Sequence, residues 1–153
     1  SGISSESHSL ILIVYAVVLG PICEELAFRG LTLGYGRRAV PFWLANILQA
    51  FLFGVLHMNL LQGCYTFVMA LLLGYIVYKT GNILISIVLH MLFNAYAMFL
   101  SQFTLMGQTP ITFFLLLLLG MVALYAGMEL ILKAAEKRVN KTIASTDNNS
   151  TMQ

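Results

Sequence analysis

The sequence predicts an all-α fold, a polytopic transmembrane bundle of about five helices in one 153-residue chain. Three observations carry that prediction. Hydrophobic residues make up 59% of the chain and charged residues only 9%, with a mean hydropathy of +0.88. A soluble domain carries about 25% charged residues, and so few charges could not cover a water-facing surface, which leaves lipid as the solvent. The apolar residues also fall into five runs, each close to the ~20 residues that a helix needs to cross hydrocarbon. Finally, when those runs are threaded through a membrane, the cations collect on one side of it.

The first run, 9–33, contains Pro21 and the cluster Glu24, Glu25, Arg29. Gly34-Tyr35-Gly36-Arg37-Arg38 reads as the turn after it. The second helix starts near Pro41, a residue favoured in a helix's first turn, and reaches His57. The third covers 63–78 and stops at Lys79-Thr80-Gly81-Asn82; the fourth covers 83–103, before a break at 107–110. The fifth covers 111–133 and continues as an amphipathic basic stretch to Lys141. The chain thus divides into a polar segment 1–8, a membrane core 9–141 and a polar tail 142–153 whose composition predicts disorder. Cys23 and Cys64 lie in apolar runs and read as small core residues, with no disulfide framework or zinc spacing. The first residues lack Met and the basic region of a signal peptide, which suggests numbering that begins inside a longer chain or after processing.

The charge pattern gives an orientation. If the first helix ends on side A, then Arg37, Arg38, Lys79, Lys133, Lys137, Arg138 and Lys141 all fall on side A. Side B has no Lys or Arg, and the eighth cation, Arg29, lies inside the first helix. Side A and the C-terminus are therefore expected to be cytoplasmic and Ser1 external. A complete protein that starts in the cytoplasm would need an odd number of further helices upstream. The bilayer is the expected partner, and no nucleic acid is.

Ionisable groups in hydrocarbon cost several kcal/mol each and are functional candidates. They come here in three groups: Glu24-Glu25-Leu26-Ala27-Phe28-Arg29, Phe53-Gly54-Val55-Leu56-His57 and His90-Met91-Leu92-Phe93-Asn94. Residues four apart share a helix face, so Glu25 can pair with Arg29, and His90 and Asn94 point the same way. Glu24, about 100° round from Glu25, is left free of that pair. Counted from the turn near residue 40, Glu24 and His57 stand at about the same depth of an antiparallel hairpin. A carboxylate and an imidazole at one level, facing an imidazole and an amide from another helix, can activate water and bind an oxyanion. Each motif alone has a plainer reading: a structural ion pair, an interfacial histidine, interhelical hydrogen bonds. A transporter that moves protons through these residues is a further reading, without an inverted repeat to support it. Their co-occurrence in an apolar chain favours a hydrolytic site.

Glu-Glu-x-x-x-Arg, Phe-x-x-x-His and His-x-x-x-Asn, on successive membrane segments in that order, resemble the CAAX protease and bacteriocin-processing (CPBP) family, which includes the Rce1-type prenyl-protein endopeptidases. The resemblance covers about residues 18–97. It implies an intramembrane endopeptidase on an α-helical fold of about eight helices, acting on a membrane-embedded or prenylated, CAAX-like peptide. It implies Glu24 as the base that activates water, His57 as the group that holds that water, and His90 and Asn94 as oxyanion donors. Glu25 and Arg29 would support the site, Arg29 also meeting a substrate carboxylate, and Phe53 would shape the cavity. Some relatives in such a family are self-immunity proteins, so a non-catalytic binding protein is the alternative. A Glu, two His and an Asn could ligate zinc, but the chain lacks the His-Glu-x-x-His pattern that sets two ligands one turn apart. A metal-free site without a cofactor is expected.

Overall fold

A computed structural model describes residues 10–104 and 110–150 of the chain. The segment 1–8 and the break at 107–109 lie outside the described residues. Two compact units are present, Ser1–Met121 and Val122–Gln153. Among the described residues there are five helices and no strand: α1 (Leu10–Ala39), α2 (Phe42–Leu56), α3 (Leu60–Thr80), α4 (Ile83–Thr104) and α5 (Pro110–Ser150). The expected all-α class holds. Three of the five, α1, α3 and 83–101 of α4, are long and apolar enough to cross a membrane. The 15 residues of α2 rise about 22 Å, short of a hydrocarbon layer about 30 Å thick. The apolar part of α5, Leu115–Leu130, is also shorter.

The second unit is helical to Ser150. That helix takes in the basic stretch, where Lys133, Glu136 and Lys137 are exposed, and residues of the tail that composition marks as polar.

Boundaries follow local chemistry. The first helix does not stop at Gly34, as expected, but runs to Ala39. Val40 then turns extended (φ −139°, ψ 161°), as the residue before a proline prefers, and Pro41 caps α2. Gly36 does not serve as a turn residue. A Cβ there would lie 3.3 Å from the Cβ of Ala45, so it allows α1 and α2 to approach. Asn59 caps α3 by accepting the Gln62 N–H at 3.0 Å, a standard N-cap. Gly81, at φ 64°, closes α3 in the left-handed region, where glycine avoids a Cβ clash.

Two stretches of α1, Tyr15–Leu19 and Leu26–Thr32, are π-helical. The first is tied to Pro21. In that register Gly20 N–H donates to Tyr15 O, five residues back, so the next donor should serve Ala16 O. The next residue is Pro21, which has no N–H. Asn94 of α4 supplies the missing donor, its Nδ2 lying 2.9 Å from Ala16 O.

α2 and α3 form a tight antiparallel hairpin. A Cβ on Gly54 would stand 2.8 Å from Gly63 O, and one on Gly63 would stand 2.9 Å from Gly54 O; small residues allow such contact in membrane bundles. Further along, Asn46 Nδ2 donates to Leu71 O at 3.0 Å, while Gln49 Nε2 donates to Asn46 Oδ1 at 2.9 Å and to Ala70 O at 3.1 Å. A side chain at Gly74 would collide with Asn46. Large apolar side chains such as Trp43, Ile47, Phe51 and Val55 point outward, as lipid contact requires. Cys23 and Cys64 are free and also exposed. They are surface residues rather than core, because in lipid an outward thiol loses no apolar environment.

Candidate active site

The site is built where α1 meets α4, with α2 closing one side. Glu25 of α1 is fully buried, and each of its carboxylate oxygens is engaged. Oε1 meets Arg29 Nη1 at 2.9 Å and His90 Nδ1 at 2.8 Å, and Oε2 accepts the Ser86 hydroxyl. Ser86, His90 and Asn94 are spaced by four, so they form one polar stripe along α4. The stripe runs antiparallel to α1, Ser86 and His90 reaching Glu25 while Asn94 reaches Ala16.

Arg29 is buried too, facing Glu25, Ala70 O at 3.4 Å and the Phe53 ring at 4.9 Å. Its Nε has no hydrogen-bond partner among the described residues, nor does Gln49 Oε1. The Nη1 contact is close in distance but forms no well-directed hydrogen bond, so it acts chiefly as charge neutralisation of Glu25. The Arg29 side chain has no exposed area, so the expected meeting with a substrate carboxylate would require the cluster to open.

Glu24 differs from its neighbour. Its side chain is 39% exposed, and Oε2 stands 3.6 Å from His90 Nε2. Gly20 lies one turn earlier, where a Cβ would stand 3.8 Å from Glu24 Oε1, an ordinary contact distance. The tautomer of His90 follows from its partners. For a neutral ring the distances favour the proton on Nδ1, which lies 2.8 Å from a Glu25 oxygen that accepts when ionised, whereas Nε2 stands 3.6 Å from Glu24. At 3.6 Å the two atoms stand just beyond direct hydrogen-bond distance.

Phe53 organises the other side. Its ring packs edge-on against Phe28 at 5.0 Å and lies 4.9 Å from the His57 ring and 5.8 Å from the His90 ring. His57 follows α2 directly, with Nδ1 2.9 Å from Phe53 O, so Nε2 is its free nitrogen. The structure therefore gathers Glu24, Glu25, Arg29, Phe53 and His90 around one centre and sets His57 at the rim. Asn94 docks on α1 through one amide hydrogen. Among the described residues no three His, Cys, Asp or Glu side chains converge as metal ligands.

Ser86, Asn46 and Gln49 were not singled out from the sequence. Ser86 carries a readable signal, one turn before His90 on the same face. Asn46 and Gln49 are the polar side chains of α2, three apart, which is the pattern of an interhelical seam. An apolar groove of about 480 Å³ at the α2–α3 turn, bordered by Phe51, Val55, Met58, Leu60, Cys64 and Phe67, is lined by no Glu, His or Arg.

Residues 6–96 match the family described as Type II CAAX prenyl endopeptidase Rce1-like. A protein of Bacillus subtilis (strain 168), named "Putative membrane peptidase YdiL", is 24% identical over 86 residues, which are 56% of this chain and 35% of that protein. The chain spans about a third of the length of this curated relative. No solved structure matches.

Proposed function

The chain belongs to the Rce1-like family of type II CAAX prenyl endopeptidases, and from that premise we propose that it is an intramembrane endopeptidase using a water activated by Glu24. The observation that carries the reading is the pairing of a part-exposed carboxylate with a buried imidazole, Glu24 Oε2 and His90 Nε2, 3.6 Å apart in an apolar chain. A water seated beside the pair, within reach of Glu24, gives a proton to that carboxylate as its oxygen bonds to the scissile carbonyl carbon. The carbonyl electrons move onto oxygen, and the oxyanion is met by the second amide hydrogen of Asn94, the first being used on Ala16 O, and by His57 when its free nitrogen is protonated. As the C–N bond breaks, the proton on Glu24 passes to the leaving amine. Base and oxyanion donors each contribute about 10²–10³-fold.

The substrate is a membrane-embedded or lipidated peptide. The apolar groove beside His57 is suited to a lipid chain, and its volume of about 480 Å³ falls in the range of small-ligand sites. The reaction needs no metal, and the C-terminus is cytoplasmic. Arg37 lies over Tyr78, so the ends of α1 and α3 share one face.

The test is cleavage of a peptide carrying a prenylated cysteine by the chain in lipid nanodiscs. Glu24→Ala and His57→Ala should each lower kcat by about 10²-fold or more with helical content unchanged. Full turnover in both variants sinks the reading. Loss of cleavage on chelation, restored by zinc, sinks its metal-free part.

A further inference from the structure

We propose that Ser86 is a positioning residue, whose hydroxyl holds the Glu25 carboxylate in the orientation that fixes His90 as the Nδ1–H tautomer facing Glu24. The kinetic consequence rests on the peptidase reading; the structural one does not.

Glu25 is a carboxylate with no access to solvent. One oxygen is shared by Arg29 and His90, and the other is held by Ser86. Ser86 is itself fully buried and lies one helical turn before His90. The two groups of α4 therefore grip the two oxygens of one carboxylate and set the rotation of its plane. Take the hydroxyl away, and Oε2 becomes a buried anionic oxygen without a donor, which is costly in hydrocarbon. The carboxylate is then free to turn so that Arg29 serves both oxygens. That rotation withdraws Oε1 from His90 Nδ1, which has no other acceptor among the described residues. With the proton on Nε2, the ring donates to Glu24 and the carboxylate loses its freedom to take a proton from water.

Ser86 has no exposed surface, so it cannot touch a substrate. Its removal should lower kcat and leave KM unchanged. Groups that orient metal-ligating histidines are typically worth about 10–100-fold, and a comparable scale is expected for this positioned imidazole.

The experiment uses the 153-residue chain with 15N-labelled histidine in nanodiscs at about pH 8, above the usual histidine range. His90→Gln identifies the His90 ring signals. The wild-type chain should show a protonated Nδ1 and a bare Nε2. Ser86→Ala should shift His90 toward the Nε2–H form and reduce kcat roughly tenfold at constant KM. Ser86→Thr, which keeps the hydroxyl, should restore both. An unchanged tautomer in Ser86→Ala overturns the proposal, whatever the kinetics. A changed tautomer with full kcat overturns its link to the reaction. If the wild-type chain cleaves no peptide, the peptidase reading fails, while the ring-nitrogen measurement still decides the role of Ser86.

Discussion

Arg29 is a cation placed where an isolated charge would cost several kcal/mol. Its partners, Glu25 at 2.9 Å, the Phe53 ring and Ala70 O, make the position tolerable. Breaking a buried pair from one side strands the other charge. Arg29→Met should therefore destabilise the chain by about 3–5 kcal/mol, read by unfolding in mixed micelles. The double change Glu25→Gln/Arg29→Met should recover part of that loss; equal loss in the single and double variants would contradict the pairing. This pair was legible in the sequence, because an i,i+4 spacing on a helix is local geometry. Which imidazole lies beside Glu24 was not. Counting residues from a turn gives depth in the membrane, whereas the contact with His90 depends on the side of α1 that α4 packs against. Ser86 was overlooked for a simpler reason. A serine in an apolar helix has many uses, and only its carboxylate partner across the interface singles it out.

Helix–helix contacts are built from small residues and from single hydrogen bonds to backbone carbonyls. Pro21 removes a donor from the π-helical turn of α1, and Asn94 replaces it from α4. If that account is right, the two residues are coupled. Asn94→Ala should cost about 1 kcal/mol when Pro21 is present. In a Pro21→Ala background, where the chain again has its own N–H, Asn94→Ala should cost measurably less. A double-mutant cycle with no coupling would contradict the account. The sequence reading placed the end of α3 and the start of α4 closely, because Gly81 marks that boundary, but it began α3 three residues late, since the Asn59 cap was not read. It stopped α1 too early, at a Gly-Tyr-Gly-Arg-Arg stretch that looks like a turn. Gly36 proves to be a contact residue against Ala45, and a glycine's two uses look alike until the neighbouring helix is in place.

Across the whole chain, the scarcity of charge gave the membrane assignment and the order of three short motifs gave the family; both stand. Helix count and membrane crossings do not coincide, since α2 is apolar yet short. The proposed topology predicts that a cysteine introduced at Lys79, in a Cys23→Ser/Cys64→Ser background, is labelled by an impermeant reagent only from the cytoplasmic side; external labelling would reverse it. Aromatic rings support that face. Phe42 stacks on Tyr78 at 3.9 Å and Trp43 on Tyr75 at 5.7 Å, as in the belts that anchor helices at an interface. The central claim is that Glu24 activates a water for peptide hydrolysis. The most direct measurement is cleavage of a prenylated-cysteine peptide in 18O-labelled water by the chain and by Glu24→Gln, with the products weighed by mass spectrometry. The account predicts one 18O atom in the new carboxylate for the wild type and loss of about 10²-fold or more in rate for the variant. Undiminished cleavage by Glu24→Gln would contradict it.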